Sequence, residues 1–384
     1  MSKKIFFISL GLFLLALGFF LWISYSTGTF FAGKKTEINA EKSDKNITKE
    51  SGTESAVKEQ KIQKIIEGNI VGAVFLKEEN KIVYYSNQNF IKIDPNGQNR
   101  ESVGAHPFQK VEKISWSSSR EKALVKDGDQ YLVFDLNKEE IIPFSVPTDS
   151  IGWGSLNGQL LYEYYDQGKN RRILDSSFDL SGKPWEEITD LPYGKATLLA
   201  HPLKNEVYVF PDPKENVSGE VFRVDVSAKK KDKFLSYYKG MDFLFSPSGK
   251  KMLESYAKKD GRMSLGVIDS ATGNFTDLNF PTSVKKCVWK NDETEVLCAA
   301  ILSEGATNLP EDWENRKGSF SDVFWKINIQ NGKQTRLLEL GTEERTDAEG
   351  LFLDKEEKAL FFVDRLEGGL FRIDLSEKEN EPKE

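Results

Sequence analysis

Two cysteines and two histidines make up the chain's whole stock of thiol and imidazole groups. Cys287 and Cys298 flank the turn Lys290-Asn291-Asp292-Glu293-Thr294, and the midpoint between them falls between Asp292 and Glu293. In an antiparallel hairpin symmetric about that turn they face each other, with Cβ atoms about 4.5–5.5 Å apart. That is slightly beyond the most comfortable disulfide separation. An oxidising compartment favours the bridge, and two reduced core thiols are the alternative. Two thiols supply too few ligands for zinc. His201 follows Ala200 at a strand-to-turn position, where a surface role is expected; His106, in Gly104-Ala105-His106-Pro107, occupies a connection and is a candidate ligand-site residue. The sequence has no Gly-x-Ser-x-Gly elbow, no Cys-x-x-Cys or His-rich metal pattern and no Gly-rich phosphate loop. No catalytic residue, cofactor or metal ligand is therefore assigned. Asp and Glu are common enough to leave open a carboxylate cluster that holds a divalent metal.

The remaining candidates are aromatic and cationic side chains in loops. An insertion from Ser303 to Ser319 carries Pro310, Trp313 and Gly318 and is followed by Phe320. Tyr164, Tyr165, Arg171, Tyr193, Tyr237, Arg262 and Arg365 are expected on the same rim. Aromatics beside guanidinium groups suit stacking against a peptide or a glycan. Trp313 is the expected anchor, because Trp dominates many binding surfaces. The structural alternative is that it packs inward and stabilises its own loop.

The elements that must position these residues form a repeat. An apolar residue is followed seven positions later by the start of a second apolar run, at Phe75/Ile82, Trp116/Ala123, Trp153/Leu160, Ala200/Val207, Phe245/Met252, Trp289/Val296 and Phe352/Ala359. Downstream of each pair a strand ends in Asp or Asn: Asp94, Asp135, Asp179, Asp225, Asp269, Asn328 and Asp374, at intervals of 41, 44, 46, 44, 59 and 46. A period of about 45 residues built from short strands indicates propeller blades. The fold class is therefore all-β, a seven-bladed β-propeller of four-stranded antiparallel blades over residues 61–376. The recurrent Asp and Asn are read as turn caps that bond their own backbone. After Asp374 the chain is too polar for an outer strand, so residues 61–66 are expected to close the last blade and remove its open edge, with 377–384 a disordered tail.

Phe245-Ser246-Pro247-Ser248-Gly249-Lys250-Lys251 resembles the repeat of TolB-like propellers, in which an aromatic, Ser-Pro-Asp-Gly-Lys and a strand mark each blade. The same repeat occurs in the propellers of prolyl oligopeptidase-type enzymes. Ser248 stands where Asp is usual, and the other blades keep the spacing without the letters. The resemblance implies an extracytoplasmic propeller used for binding or scaffolding. It carries no catalytic residues to transfer.

Residues 5–25 are an uncharged apolar run, long enough as a helix to cross a hydrocarbon core of about 30 Å. Lys3 and Lys4 precede it, which places the N-terminus, a stub of residues 1–4, in the cytoplasm. The run exceeds a signal-peptide core of about 7–15 residues, and Phe30-Phe31-Ala32-Gly33 is a poor cleavage site, so an uncleaved anchor is expected. Residues 26–60 read as a flexible polar linker. The chain has 53 Lys and Arg against 60 Asp and Glu; residues 61–384 hold 45 and 54 of them, a net −9. Such a surface repels nucleic acid, which is excluded as a partner. The sequence thus describes a single-pass protein of a bacterial cell membrane. Its propeller lies outside and binds an envelope protein, peptide or glycan without being an enzyme. The alternatives are a propeller hydrolase or lyase with rim carboxylates and a divalent metal, and a structural envelope protein without a specific ligand.

Overall fold

A computed structural model describes residues 62–105, 108–214, 217–304, 308–338 and 345–376. The expected membrane helix, linker and C-terminal tail lie outside the described residues. Among the described residues no helix is long and apolar enough to cross a membrane.

Seven four-stranded antiparallel sheets follow one another along the chain. Blade 1 is Val71–Leu76, Lys81–Ser86, Asn89–Ile93 and Glu101–Ala105. Blade 2 is Val111–Trp116, Lys122–Asp127, Gln130–Asp135 and Glu140–Pro143; blade 3 is Ser150–Trp153, Leu160–Asp166, Arg171–Ser177 and Glu186–Leu191. Blade 4 is Ala196–Ala200, Glu206–Pro211, Gly219–Asp225 and Lys230–Tyr237; blade 5 is Asp242–Phe245, Lys251–Ala257, Met263–Asp269 and Phe275–Phe280. Blade 6 is Cys287–Trp289, Glu295–Glu304, Ser319–Asn328 and Gln334–Arg336. Blade 7 takes Ala348–Leu353, Ala359–Asp364 and Leu370–Asp374 from the end of the chain and Ile62–Ile66 as its outermost strand. That strand pairs antiparallel with Leu370–Asp374, Ile62 opposite Ile373 and Lys64 opposite Phe371.

The core lies between the blades, one apolar layer per neighbouring pair. The second and third strands are buried on both faces, so they read as continuous apolar runs, as in Ile82-Val83-Tyr84-Tyr85. The aromatic residue of the repeat joins one blade to the next. Trp116 Nε1 donates to the Gly72 carbonyl at 2.7 Å, Trp153 Nε1 to Ser115 at 3.0 Å and Trp289 Nε1 to Leu244 at 3.2 Å, each acceptor lying on the first strand of the preceding blade. Gly72 is needed there, because it has φ +64° and a Cβ would sit 2.5 Å from that of Ile114.

Six of the seven sequence pairs face each other across the first hairpin, from Phe75 opposite Ile82 to Trp289 opposite Val296. Blade 7 is displaced by one residue. Leu353 faces Leu360 and Phe352 faces Phe361, so the seven-residue spacing holds but starts one residue later, and Asp354 N–H donates to the Ala359 carbonyl as Ser117 N–H does to Lys122 in blade 2. Six of the recurrent polar residues accept backbone N–H groups of their own turn: Asp135, Asp179, Asp225, Asp269, Asn328 and Asp374. Asp94 holds its turn through its carbonyl to Gly97 N and through the Asn99 side-chain amide. Asp179 lies two residues past the end of its strand rather than within it.

Cys287 pairs directly with Cys298, Cα to Cα 4.1 Å, and the two form a disulfide. His201 is buried, not at the surface: Nδ1 accepts the backbone N–H groups of Leu203 and Lys204, each at 3.1 Å, and the ring packs on Phe245. Burial, then Lys204, holds its imidazole below the ordinary range. It is a turn-capping residue of blade 4.

Candidate functional site: the connection rim

The antiparallel order puts two kinds of loop on one rim: the turns between second and third strands, and the connections from one blade to the next. The first strands surround the central channel, so this rim also frames one of its mouths. There Lys285, in the turn Val284–Lys286 ahead of blade 6, pairs with Glu314 and lies 3.8 Å from Asp242 at the start of blade 5. Lys113, on the first strand of blade 2, feels both Lys285 and Asp242. Its side chain opens to the channel but is walled by protein. That enclosure lowers its ammonium, and Lys285 adds to the effect. Burial raises the Asp242 carboxyl, opposed by Lys285. For Lys285 burial works against the charge, but Asp242 and Glu314 outweigh it and hold the ammonium above its usual value.

Beside this mouth the blade-six insertion is locked from below. Its one helical turn, Glu311–Glu314, places Trp313 among Met263, Ile301, Leu309 and Phe320, with 3 % of its surface exposed. The indole Nε1 donates to Asp347 Oδ1 at 2.7 Å, and the ring lies between the Lys286 ammonium at 4.8 Å and the Arg365 guanidinium at 4.3 Å. Lys286, fully buried, pairs with Asp322 and Asp347, each at 2.6 Å. Burial, only partly offset by Lys286, pushes the Asp322 carboxyl up to about 6. Trp313 therefore packs inward, and the expectation of an exposed anchor is replaced by that of a structural pin. Arg365 is equally enclosed, against Glu349 at 3.4 Å and Asp347 at 4.0 Å. Each carboxylate named at this mouth faces a cation. Among the described residues no three His, Cys, Asp or Glu side chains converge to hold a metal.

The other expected residues separate into two groups. Arg171 is tied to Glu187 at 2.5 Å, and Arg262 is clamped by Asp260 at 2.9 and 2.6 Å. The Tyr193 hydroxyl donates among the carbonyls of Val209 and Glu220, and burial raises its pKa well above the phenol range. Tyr237 ends the outer strand of blade 4 opposite Gly219, and His106 lies outside the described residues. Tyr164 and Tyr165, by contrast, line a cleft of about 570 Å³ between blade 3 and the connection from blade 2.

That cleft has a built wall. Tyr165 and Trp185 stand half-exposed, and the Arg172 guanidinium lies 5.4 Å from the Tyr165 ring centre. Arg172 is held by Asp149 and, at 2.8 Å, by Glu163, whose second oxygen accepts the Ala196 backbone N–H, also at 2.8 Å. Glu163 is fully buried, and it and Asp149 accept from the same Nη1, which anchors that end of the guanidinium. The loop carrying Trp185 folds back on the connection through Ser145 N–H to the Ser181 carbonyl, 2.9 Å. A Cβ on Gly182 would lie 2.6 Å from the Phe144 ring. Behind the cleft, on the strand beside Tyr162 and Tyr164, Asp175 is buried with neither oxygen hydrogen-bonded; burial, then Glu187, pushes it up to about 7.

The sequence favoured Arg171, whereas Arg172 is the residue under Tyr165. The two point to opposite faces of one strand, and only pairing with Tyr165 decides between them. A readable signal existed for one buried acid: Glu163 interrupts the apolar and aromatic run 160–165 of the second strand of blade 3, whereas Asp175 sits in a strand that is largely polar.

No protein-family model matches the sequence, and no curated protein matches it. Solved structures do resemble the fold. An oligogalacturonate lyase in complex with manganese superposes with a TM-score of 0.59 at 14 % identity, over 84 % of this chain and 95 % of that one. The oligogalacturonate lyase of Vibrio parahaemolyticus gives 0.59 at 11 %, over 84 % and 95 %. The β-propeller domain of Cps50 (Swd1) from Myceliophteria thermophila gives 0.53 at 12 %, over 82 % and 100 %. At such identities the likeness is one of fold: the chain is a seven-bladed β-propeller.

Proposed function

We propose that the protein is a membrane-anchored, extracytoplasmic propeller. In this reading it binds a protein, peptide or glycan of the cell envelope through its connection rim and performs no catalysis of its own. The observation that carries this reading is the cleft at blade 3. Tyr165 and Trp185 present π faces to solvent, and the Arg172 guanidinium beside the Tyr165 ring is held by Asp149 and Glu163 before any ligand arrives. Such preorganisation lowers the ordering cost of binding. The kinship with TolB-like propellers drawn from the blade-five motif belongs to the same proposal. The lyase alternative, an activity that two of the structural neighbours carry, has less support, because the acids at the channel mouth are matched by Lys285, Lys286 and Arg365.

The test uses the full-length chain in its own membrane, with a photo-crosslinking residue at Tyr165 or Trp185. Asn96, on the opposite rim, is the control position. Adducts at the cleft, absent at Asn96 and lost when the neighbouring Arg172 is replaced by Ala, are the expected result. Adducts at both rims, or none, would leave a structural envelope protein as the better description.

A further inference from the structure

A second cleft, of about 630 Å³, opens between blades 4 and 5 beside their outer strands. Leu235 and Met241 from the blade-4 side and Ile268 from blade 5 make it apolar, Tyr256 and Phe275 line one wall, and Glu254 contributes its carboxyl. Its geometry depends on a glycine. Gly266 faces Glu254 directly across the second and third strands, and a Cβ there would lie 2.1 Å from the Phe275 ring. Without a side chain at 266, Phe275 lies over the strand next to Glu254, with the Tyr256 ring 5.9 Å away and edge-on.

Glu254 is 5 % exposed, and among the described residues it makes no hydrogen bond and no ion pair. A carboxylate so placed is costly unless something pairs with it. Burial, and then Asp277, pushes its carboxyl up to about 8. The neighbouring cations do not relieve it: Lys258 donates to Asn279 at 2.7 Å, and Lys259 stands out at the exposed lip. The Tyr256 hydroxyl is engaged by Asp277 at 3.2 Å. The cleft therefore combines apolar walls, two aromatic faces and one acid that lacks a counter-charge.

We propose that this cleft binds an organic ammonium carried on an apolar stem, with Glu254 as its counter-ion. An anion is repelled by Asp277 and would keep Glu254 from ionising. A neutral apolar ligand fills the volume but leaves the acid unmatched. An ammonium pairs with the carboxylate, lies against Tyr256 and Phe275, and seats its stem on Leu235, Met241 and Ile268. On binding, the Glu254 O–H bond breaks, the proton passes to solvent, and the carboxylate remains to face the cation. Two sources share this chemistry, a free amine and a lysine side chain of a peptide.

Titration calorimetry on the full-length protein at pH 7 tests it, with n-hexylammonium, n-hexanol and an Nα-acetyl-lysine amide peptide as probes. Hexylammonium is expected to bind with release of nearly one proton, read from two buffers of different ionisation enthalpy, and the release should fall to about half near pH 8 and be nearly gone by about pH 9. Glu254→Gln keeps the side-chain shape. It should weaken hexylammonium about 10- to 100-fold, abolish proton release and leave the melting temperature no lower. Hexanol should bind more weakly than the ammonium and ignore the substitution. Binding of the lysine peptide assigns the site to a peptide side chain; binding of hexylammonium alone assigns it to a small amine. The proposal fails if hexylammonium shows no saturable heat at millimolar concentration, if Glu254→Gln binds it unchanged, or if hexanol binds as well.

Discussion

Trp116, Trp153 and Trp289 stand at the ends of first strands and donate their indole N–H to the blade before them, while Trp313 donates its own to Asp347 beneath the insertion. One residue type thus serves both as ring mortar and as a pin for a loop, and the hydrogen-bond acceptor makes the difference. The buried acids carry a testable consequence. Asp175 is pushed up to about 7 and Glu254 to about 8. Unfolded, each titrates near 4. Such a group binds its proton more tightly folded than unfolded. Its stabilising contribution is full below about pH 4, falls as pH rises through the folded value, and is flat above it. At about 1.4 kcal/mol per pH unit, Asp175 removes up to about 4 kcal/mol and Glu254 up to about 5 kcal/mol across that window. Urea unfolding at pH 5 and pH 8.5 should show the native chain losing stability at the higher pH, and Asp175→Asn/Glu254→Gln losing clearly less. Identical losses in the two would mean that neither acid holds its proton in the folded state.

At the scale of elements, the last blade depends on Ile62–Ile66. Ile62 packs into the layer between blades 6 and 7, and Ile65 and Ile66 into the layer between blades 7 and 1. Removing residues 62–66 strips three apolar side chains from two layers and bares the edge of Leu370–Asp374. The expected result is a loss of at least about 5 kcal/mol, close to the whole stability of an ordinary domain, with association through the exposed edge. Differential scanning calorimetry and light scattering measure both. A deletion variant that melts like the native chain as a monomer would mean that the ring does not need this strand. Blade 6 shows how elements adapt: its two middle strands reach Glu304 and restart at Ser319, longer than their counterparts, and carry the insertion outward from the same ladder.

For the whole molecule, the proposed topology puts the propeller outside the membrane, tethered by a lysine-containing polar segment. Trypsin added to intact spheroplasts should cut after lysines between Lys34 and Lys58 and release the propeller, detected by a C-terminal tag in the supernatant. A tag that stays protected until the membrane is lysed would reverse the topology. The ring itself has seven apolar layers and no single centre, so the charged side chains of its first strands meet across the channel instead of packing in a core.

The repeat made the ring legible, because a blade is a local unit whose strands, hairpin and turn cap all follow within one period of the sequence. Phe75 opposite Ile82 and Cys287 opposite Cys298 could be read from spacing alone, since a hairpin fixes the register of the strands it joins. Blade 7 shows the limit: Phe352 and Leu353 are adjacent apolar residues that offer two starts for the same seven-residue spacing, and strand pairing takes Leu353 with Leu360. The sites belong to tertiary structure. Trp313 faces inward because Lys286, Asp347 and Arg365 arrive from two blades to meet it, and Arg172 rather than Arg171 reaches Tyr165 because of the strand pairing. Glu254 lacks a partner because blade 4 presents Leu235 and Met241 to it. Spacing along the chain governs what neighbours in a hairpin do. Burial and charge matching depend on what the next blade supplies, and that is settled only when the ring is closed.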